Sequence, residues 1–226
     1  MQSVRATFEA NGFALAPEVL SGADCTEVEA HIDALELQGA GTRELLSFDW
    51  AARLARQLRD LPSLEVLLGS SRTAFQCTYF AKLPSRNWLV ALHQDLSVPV
   101  AERAADAPCE VWSEKEGTWY CQPPVSLLAQ LVAVRVHIDA STEANGPLRI
   151  VPGSHRLGRI ASSDVAAHRR RLGEVACVAP RSALLAMRPL VLHASSKASS
   201  DAPRRVLHYV FGPAELPWGL RWKHAF

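Results

Sequence analysis

The sequence predicts a mainly β protein with flanking helices, in which a sandwich or jelly roll follows a helical N-terminal part. Three observations predict it. The first 70 or so residues carry helical periodicity and capping signals. From Thr73 onward, runs rich in β-branched and aromatic residues recur between Gly, Pro, Ser and Asn. Those runs do not alternate regularly with helices, as a doubly wound sheet would require. A length of 226 residues suits one large domain. That domain is expected to span 1–226, with a helical part over about 1–70 and a β core over about 73–211.

Taken in order, a short extended piece runs from Gly12 to about Ala16 and is closed by Pro17. Ser21 or Asp24 then caps a helix reaching about Leu37, whose apolar stripe is Val28, Ile32 and Leu35. Gly39 and Gly41 are placed to stop it. A second helical stretch covers about 48–58, and Pro62 opens a short third. Strands are expected over 73–83, 88–98, 128–138, 147–151, 175–178, 183–192 and 205–211, with one helix inserted over 163–172. The stretch 99–124 is long, polar and charged, which is the signature of a lid or a disordered loop.

Composition excludes several classes of function. Apolar residues make up 48% of the chain, too many for disorder. With 24 Lys and Arg against 23 Asp and Glu, the net charge of +1 gives no field that would draw nucleic acid or an anionic membrane. The block Arg169-Arg170-Arg171 reads as a solvated helix face. The five cysteines, at 25, 77, 109, 121 and 177, are odd in number and contain no C-x-x-C pair. That argues against a zinc ribbon or a disulfide scaffold and for reduced thiols in a cytosol. The first residues have no apolar h-region. The apolar stretch 127–138 is interrupted by Gln130, Arg135 and His137, and is too short to cross a bilayer. The expectation is a soluble, cytoplasmic protein that binds neither nucleic acid nor membrane.

The segment Leu92-His93-Gln94-Asp95-Leu96 carries the chemistry. On a strand, residues two apart share a face, so His93 and Asp95 would aim together while Gln94 points away. An imidazole and a carboxylate supply two ligands of a two-His-one-carboxylate iron(II) site. His193, at the end of the apolar run Pro189-Leu190-Val191-Leu192, is the candidate third. Shortly after it, Arg204-Arg205 opens the last long strand. One of these two can enter a barrel, where its planar fork could pair with a carboxylate, while the other is solvated; the alternative is that both are surface charges near Asp201. Arg135 interrupts an apolar strand and must be paired if buried, by an internal salt bridge or by a bound carboxylate. Lys82 is a weaker candidate of the same kind. A second H-x-D, His137-Ile138-Asp139, competes for the metal role. Trp88, Trp112, Trp119 and Tyr120 flank the motif or lie in the long loop, where they serve as a substrate wall or as packing. His155 braces a turn, His208 is read as structural, and His31, His168 and His224 as superficial.

These pieces together resemble the phytanoyl-CoA dioxygenase family of iron(II)- and 2-oxoglutarate-dependent oxygenases. The resemblance runs from about residue 8 to 211. It rests on Asn11-Gly12-Phe13, His93-Gln94-Asp95, Asn145-Gly146-Pro147-Leu148, Val151-Pro152-Gly153-Ser154-His155, and His193 followed by Arg204. It implies a double-stranded β-helix, a jelly-roll form related to the cupins. It implies that His93, Asp95 and His193 bind iron and that Arg204 holds the distal carboxylate of 2-oxoglutarate, with Lys82 and Arg135 as further candidates. It also puts the strand of His137 outside the ligand set, leaving His137, with Trp88 and Trp119, to line a substrate pocket.

The activity implied is oxidation of a small molecule by molecular oxygen, with 2-oxoglutarate converted to succinate and carbon dioxide. Related halogenases lack the carboxylate ligand, so Asp95 points to hydroxylation. Two other readings stay open on the residues alone. One is a cupin-like metalloenzyme that does not use 2-oxoglutarate; the other is a non-catalytic jelly-roll module that binds a ligand. The substrate and the oligomeric state are not legible.

Overall fold

A computed structural model describes residues 2–16, 20–35 and 41–226. The chain runs α1 (Gln2–Asn11), β1 (Phe13–Ala16), α2 (Gly22–Asp33), β2 (Gly41–Thr42), α3 (Asp49–Arg59), α4 (Pro62–Leu68), β3 (Thr73–Lys82), β4 (Val90–His93) and β5 (Val98–Val100). It continues with β6 (Trp112–Lys115), β7 (Thr118–Cys121), α5 (Val125–Leu128), β8 (Val132–His137), β9 (Leu148–Ile150) and α6 (Val165–Leu172). The last strands are β10 (Val175–Cys177), β11 (Leu184–Met187), β12 (His193–Ser195) and β13 (Arg204–Gly212).

The strands form three antiparallel sheets. The largest has the order β1-β11-β8-β13-β3-β2, the second β10-β9-β12-β4 and the third β5-β7-β6. The crossovers between the first two make a double-stranded β-helix. Side-chain alternation divides the large sheet into two faces. Val132, Val134, Val136 and Ile138, around β8, pack outward with Leu54, Ala55 and Leu58 of α3. On the inner face, Ala133 joins a second core with Leu148, Ile150 and Met187.

The helices follow their local signals. Ser21 accepts from the Asp24 backbone N–H while Asp24 accepts from that of Ser21, a capping box that starts α2. Pro62 opens α4. The helix over α2 ends at Asp33, earlier than expected; Pro17, Leu37 and Gly39 lie outside the described residues. Helix α1 was not legible, because its sequence is polar apart from a few residues such as Phe8, which is fully buried.

Three expectations need correction. The stretch 99–124 is not one loop: β6 and β7 form a hairpin that pairs with β5. Its mixed polar and aromatic residues, with Glu114 exposed and Thr118 buried, hid the alternation. The strand expected over 88–98 is two strands, β4 and β5, with Asp95 in the break between them. The strand expected over 183–192 ends at Met187, and His193 opens the next strand rather than closing this one. The Arg169–Arg171 block lies on α6, which has no buried residue, and all five cysteines are unpaired. No helix among the described residues is long and apolar enough to cross a membrane.

Candidate metal centre

The β4–β12 ladder places His193 directly opposite His93. Their rings lie 4.2 Å apart, centroid to centroid. Asp95 reaches both: Oδ1 is 3.5 Å from His93 Nε2, and Oδ2 is 3.5 Å from His193 Nε2. One donor atom from each of the three residues falls within 4.8 Å of the others, so the group could hold a metal ion.

Backbone carbonyls set the imidazole tautomers. His93 Nδ1 lies 2.8 Å from Ala91 O and His193 Nδ1 lies 3.0 Å from Val191 O. A carbonyl can only accept, so each Nδ1 carries the proton in the neutral ring and each Nε2 offers a lone pair. Two such lone pairs converge on a carboxylate, an arrangement that a divalent cation satisfies. Two nitrogens and one carboxylate leave further positions open, which matches the donor set of non-haem iron(II). Burial opposes ionisation of Asp95, but the histidines around it hold its carboxyl well below the usual range. Burial would lower the pKa of His93, but Asp95 outweighs it and raises the net value; for His193, burial prevails and lowers it.

The supporting contacts come from the motif pieces. Gln94 points away from Asp95, although both lie just past the end of β4. Its amide donates to Gly158 O at 2.8 Å and Leu190 O at 2.6 Å, and accepts from Ile160 N at 2.9 Å. The Asp95 backbone N–H donates to Pro189 O at 2.9 Å. Both ties bind the ligand segment to the turn that leads into His193. Ser154, fully buried, accepts from the Leu192 N–H at 2.8 Å and donates to Val151 O at 2.7 Å. The N-terminal Asn11-Gly12 packs on the same turn. Gly12 sits at φ 80°, and a Cβ there would strike the His155 ring.

A cation cluster lines the same cavity. Lys82, Arg135 and Arg204 are 1%, 6% and 3% exposed. Lys82 and Arg204 stand directly opposite each other on β3 and β13. Like charges in that position repel, and among the described residues none of the three has a carboxylate in ion-pair contact. Lys82 donates to Ser195 Oγ at 2.8 Å and to Ser196 O. The Nε atoms of Arg135 and Arg204 are buried without a partner. Burial, with the charges of Arg204 and Arg135, pushes Lys82 down to about 8; burial also lowers both guanidiniums. The internal salt bridge expected for Arg135 is absent. Its Nη1 donates instead to His208 Nδ1 at 3.2 Å.

Gly146 explains the Asn145-Gly146-Pro147-Leu148 motif. It sits at φ 70°, and a Cβ would lie 2.5 Å from Ser196 O and 2.9 Å from Lys82 Nζ. Asn145 donates to Ala140 O and Pro203 O, holding the approach to Arg204.

Other expected residues are placed differently. Arg205 faces outward, but it is not free beside Asp201: it makes two bonds to Asp139 and one to Glu29. Asp139 is thereby occupied on the outer side while His137 points inward, so the rival H-x-D does not converge. His137 does not reach the cavity wall either. It is buried, with Nδ1 on Ala183 O, and burial lowers it to about 3. Trp88 lines the cavity, with Lys82 Nζ 5.7 Å from its ring centroid. Trp119 does not; strand alternation turns the neighbouring Tyr120 inward. His208, read from sequence as structural, is on the wall, with Nε2 3.8 Å from Asp95 Oδ2. Its same-face spacing from Arg204 on β13 was the available signal. Gln76, Thr78 and Phe80 also line the cavity, sharing the Lys82 face of β3.

This double-stranded β-helix, with a His-Asp-His donor set in its mouth, defines the class of mononuclear non-haem metal oxygenases. The chain belongs to the phytanoyl-CoA dioxygenase family of iron(II)- and 2-oxoglutarate-dependent enzymes, whose family model matches residues 8–206. No curated protein matches it by sequence. Solved structures resemble it in fold. EctD from S. alaskensis in its apoform superposes with a TM-score of 0.71 at 18% identity, covering 100% of this chain and 83% of that one. The epimerase SnoN, solved with Fe3+, alpha ketoglutarate and nogalamycin RO, gives 0.71 at 19%, covering 96% and 86%. AviO1 from Streptomyces viridochromogenes gives 0.66 at 17%, covering 96% of both chains.

Proposed function

We propose that this protein uses iron(II), 2-oxoglutarate and molecular oxygen to hydroxylate a small molecule, releasing succinate and carbon dioxide. The observation that carries the reading is the presence, in one cavity, of a three-residue donor set and a buried cation cluster with no carboxylate in ion-pair contact among the described residues. His93, Asp95 and His193 would hold the metal. Arg204 would pair with the distal carboxylate of 2-oxoglutarate, with Lys82 and Arg135 adding charge. That SnoN was solved with Fe3+ and alpha ketoglutarate supports the assignment.

When bound, the metal and cosubstrate supply oxygen activation coupled to oxidative decarboxylation. The protein's own part is orientation and exclusion of water. The Ala91 and Val191 carbonyls hold the imidazoles in register, and the Gln94 and Ser154 contacts hold the segments that bear them. Phe80 and Trp88 shield the cation cluster, so its attraction for a carboxylate acts in a low dielectric. With iron bound, Asp95 would supply the carboxylate ligand that related halogenases lack, which favours hydroxylation.

The test is an anaerobic visible spectrum of the iron(II) protein before and after 2-oxoglutarate. A weak charge-transfer band that needs both, and is lost in His93→Ala, is expected. Iron binding without any band would favour a metalloenzyme that does not use 2-oxoglutarate. No iron binding would leave a ligand-binding module.

A further inference from the structure

The cavity has a second cationic wall, apart from Lys82, Arg135 and Arg204. Lys115 ends β6, and its ammonium lies 4.8 Å from the Tyr120 ring centroid on the cavity lining. The hairpin tip that follows it is clipped in place. Glu116 accepts from Arg43 Nη1 at 2.7 Å and from the Arg43 N–H and Thr42 Oγ1, each at 3.3 Å. Arg43 also lines the cavity, but Glu116 neutralises it. Glu44, next to Arg43 in the chain, is engaged by Thr118 and Lys223. Lys115 therefore has no carboxylate in ion-pair contact among the described residues.

Lys82 and Lys115 have different charged neighbours. Lys82 feels Arg204 and Arg135. Lys115 is lowered by burial and by Arg43, and is favoured by Asp95. Arg135 also feels Asp95, so the Asp95 carboxylate attracts a cation on each wall. Once Asp95 is bound to a divalent ion, its charge is no longer available to Lys115. The cosubstrate needs only one cationic wall. The cavity holds about 370 Å³, near the low end for ligand sites, and must be shared between cosubstrate and substrate. Phe75, Leu131 and Val210 supply it with apolar surface.

Resting on the iron and 2-oxoglutarate reading for the placement of the metal, we propose that the substrate is a small anion whose carboxylate or phosphate pairs with Lys115 while its carbon skeleton lies on the apolar wall. A neutral molecule in the cavity would leave Lys115 half-buried and without an anionic partner, at a cost in desolvation. An anion removes that cost and, tethered at a fixed distance from the iron, presents one carbon for oxidation.

The test uses full-length protein loaded anaerobically with iron(II) and 2-oxoglutarate. The probes are short-chain carboxylates, the matching phosphate monoesters and the matching neutral amides. Binding is read as a perturbation of the charge-transfer band and by calorimetry. At least one anion is expected to bind more tightly than its amide, and its type shows which headgroup is used. Lys115→Met should weaken that binding by roughly ten- to hundredfold, with partial rescue in Lys115→Arg and no change in 2-oxoglutarate affinity. The proposal is overturned if no anion outbinds its amide, or if Lys115→Met binds the anion as tightly as the unaltered protein. If the band itself never forms, the cofactor reading has failed instead. The Lys115 preference is then decided by calorimetry on metal-free Arg204→Met protein, where the first cationic wall is weakened.

Discussion

His93 and His193 are direct partners across the β4–β12 pair, with ring planes inclined by 51°. Residues 100 positions apart are thus held by one ladder, which then shifts register between His193 and Ser195. With the triad as the iron site, removing either imidazole would leave two donors. Iron(II) affinity in His193→Ala is expected to fall by more than the roughly 10- to 100-fold that outer-shell changes cause. An anaerobic titration checks this, and unchanged affinity would remove the triad.

Ser154 acts on His193 through Leu192. Ser154→Ala takes away the acceptor of a fully buried N–H, which costs about 1–3 kcal/mol. Urea unfolding of the metal-free protein should show that loss. Iron affinity should fall as well, by a smaller factor than in His193→Ala. A stability loss with iron affinity intact would make Ser154 a purely structural brace.

Arg204→Ala is expected to weaken 2-oxoglutarate binding by roughly ten- to hundredfold while leaving iron binding nearly intact. Equal affinities in the two proteins would sink the assignment.

Lys82 adds a pH dependence. Its pKa in the free protein is lowered to about 8, and a bound dicarboxylate would raise it again. The dissociation constant should therefore be flat below about pH 8 and climb above it, toward tenfold per unit. Lys82→Met should bind more weakly at neutral pH, with that climb removed. Retention of the climb in the variant would assign it to another group.

His137 should make the fold acid-sensitive. Burial, then Arg135, lowers it to about 3 from 6.5. Between those values the unfolded chain takes up a proton that the folded chain refuses, so stability falls as pH drops below about 6.5. The slope from this one residue is at most about 1.4 kcal/mol per pH unit. His137→Asn, whose amide can still donate to Ala183 O, should show a shallower slope between pH 6.5 and 4. Equal slopes would mean that His137 is protonated in the folded protein.

The local pattern by itself determined the β-rich class, a cap for α2 at Ser21 or Asp24, the start of α4 at Pro62 and most strand positions, because these depend on near neighbours. It also offered His93, Asp95 and His193 as candidates beside the rival His137 and Asp139, and the family resemblance chose between them. It did not reveal the hairpin of β6 and β7, whose polar residues look like a loop until the cavity rim is built. It could not tell Trp119 from Tyr120, because alternation says that neighbours diverge but not which one faces in. Only the tertiary structure brought Lys82 opposite Arg204, put His208 between Arg135 and Asp95, and turned Asp139 out to Arg205. Those relations are set by which distant strands pair and in what register, and pairing is decided by burial of the whole sheet rather than by any one segment.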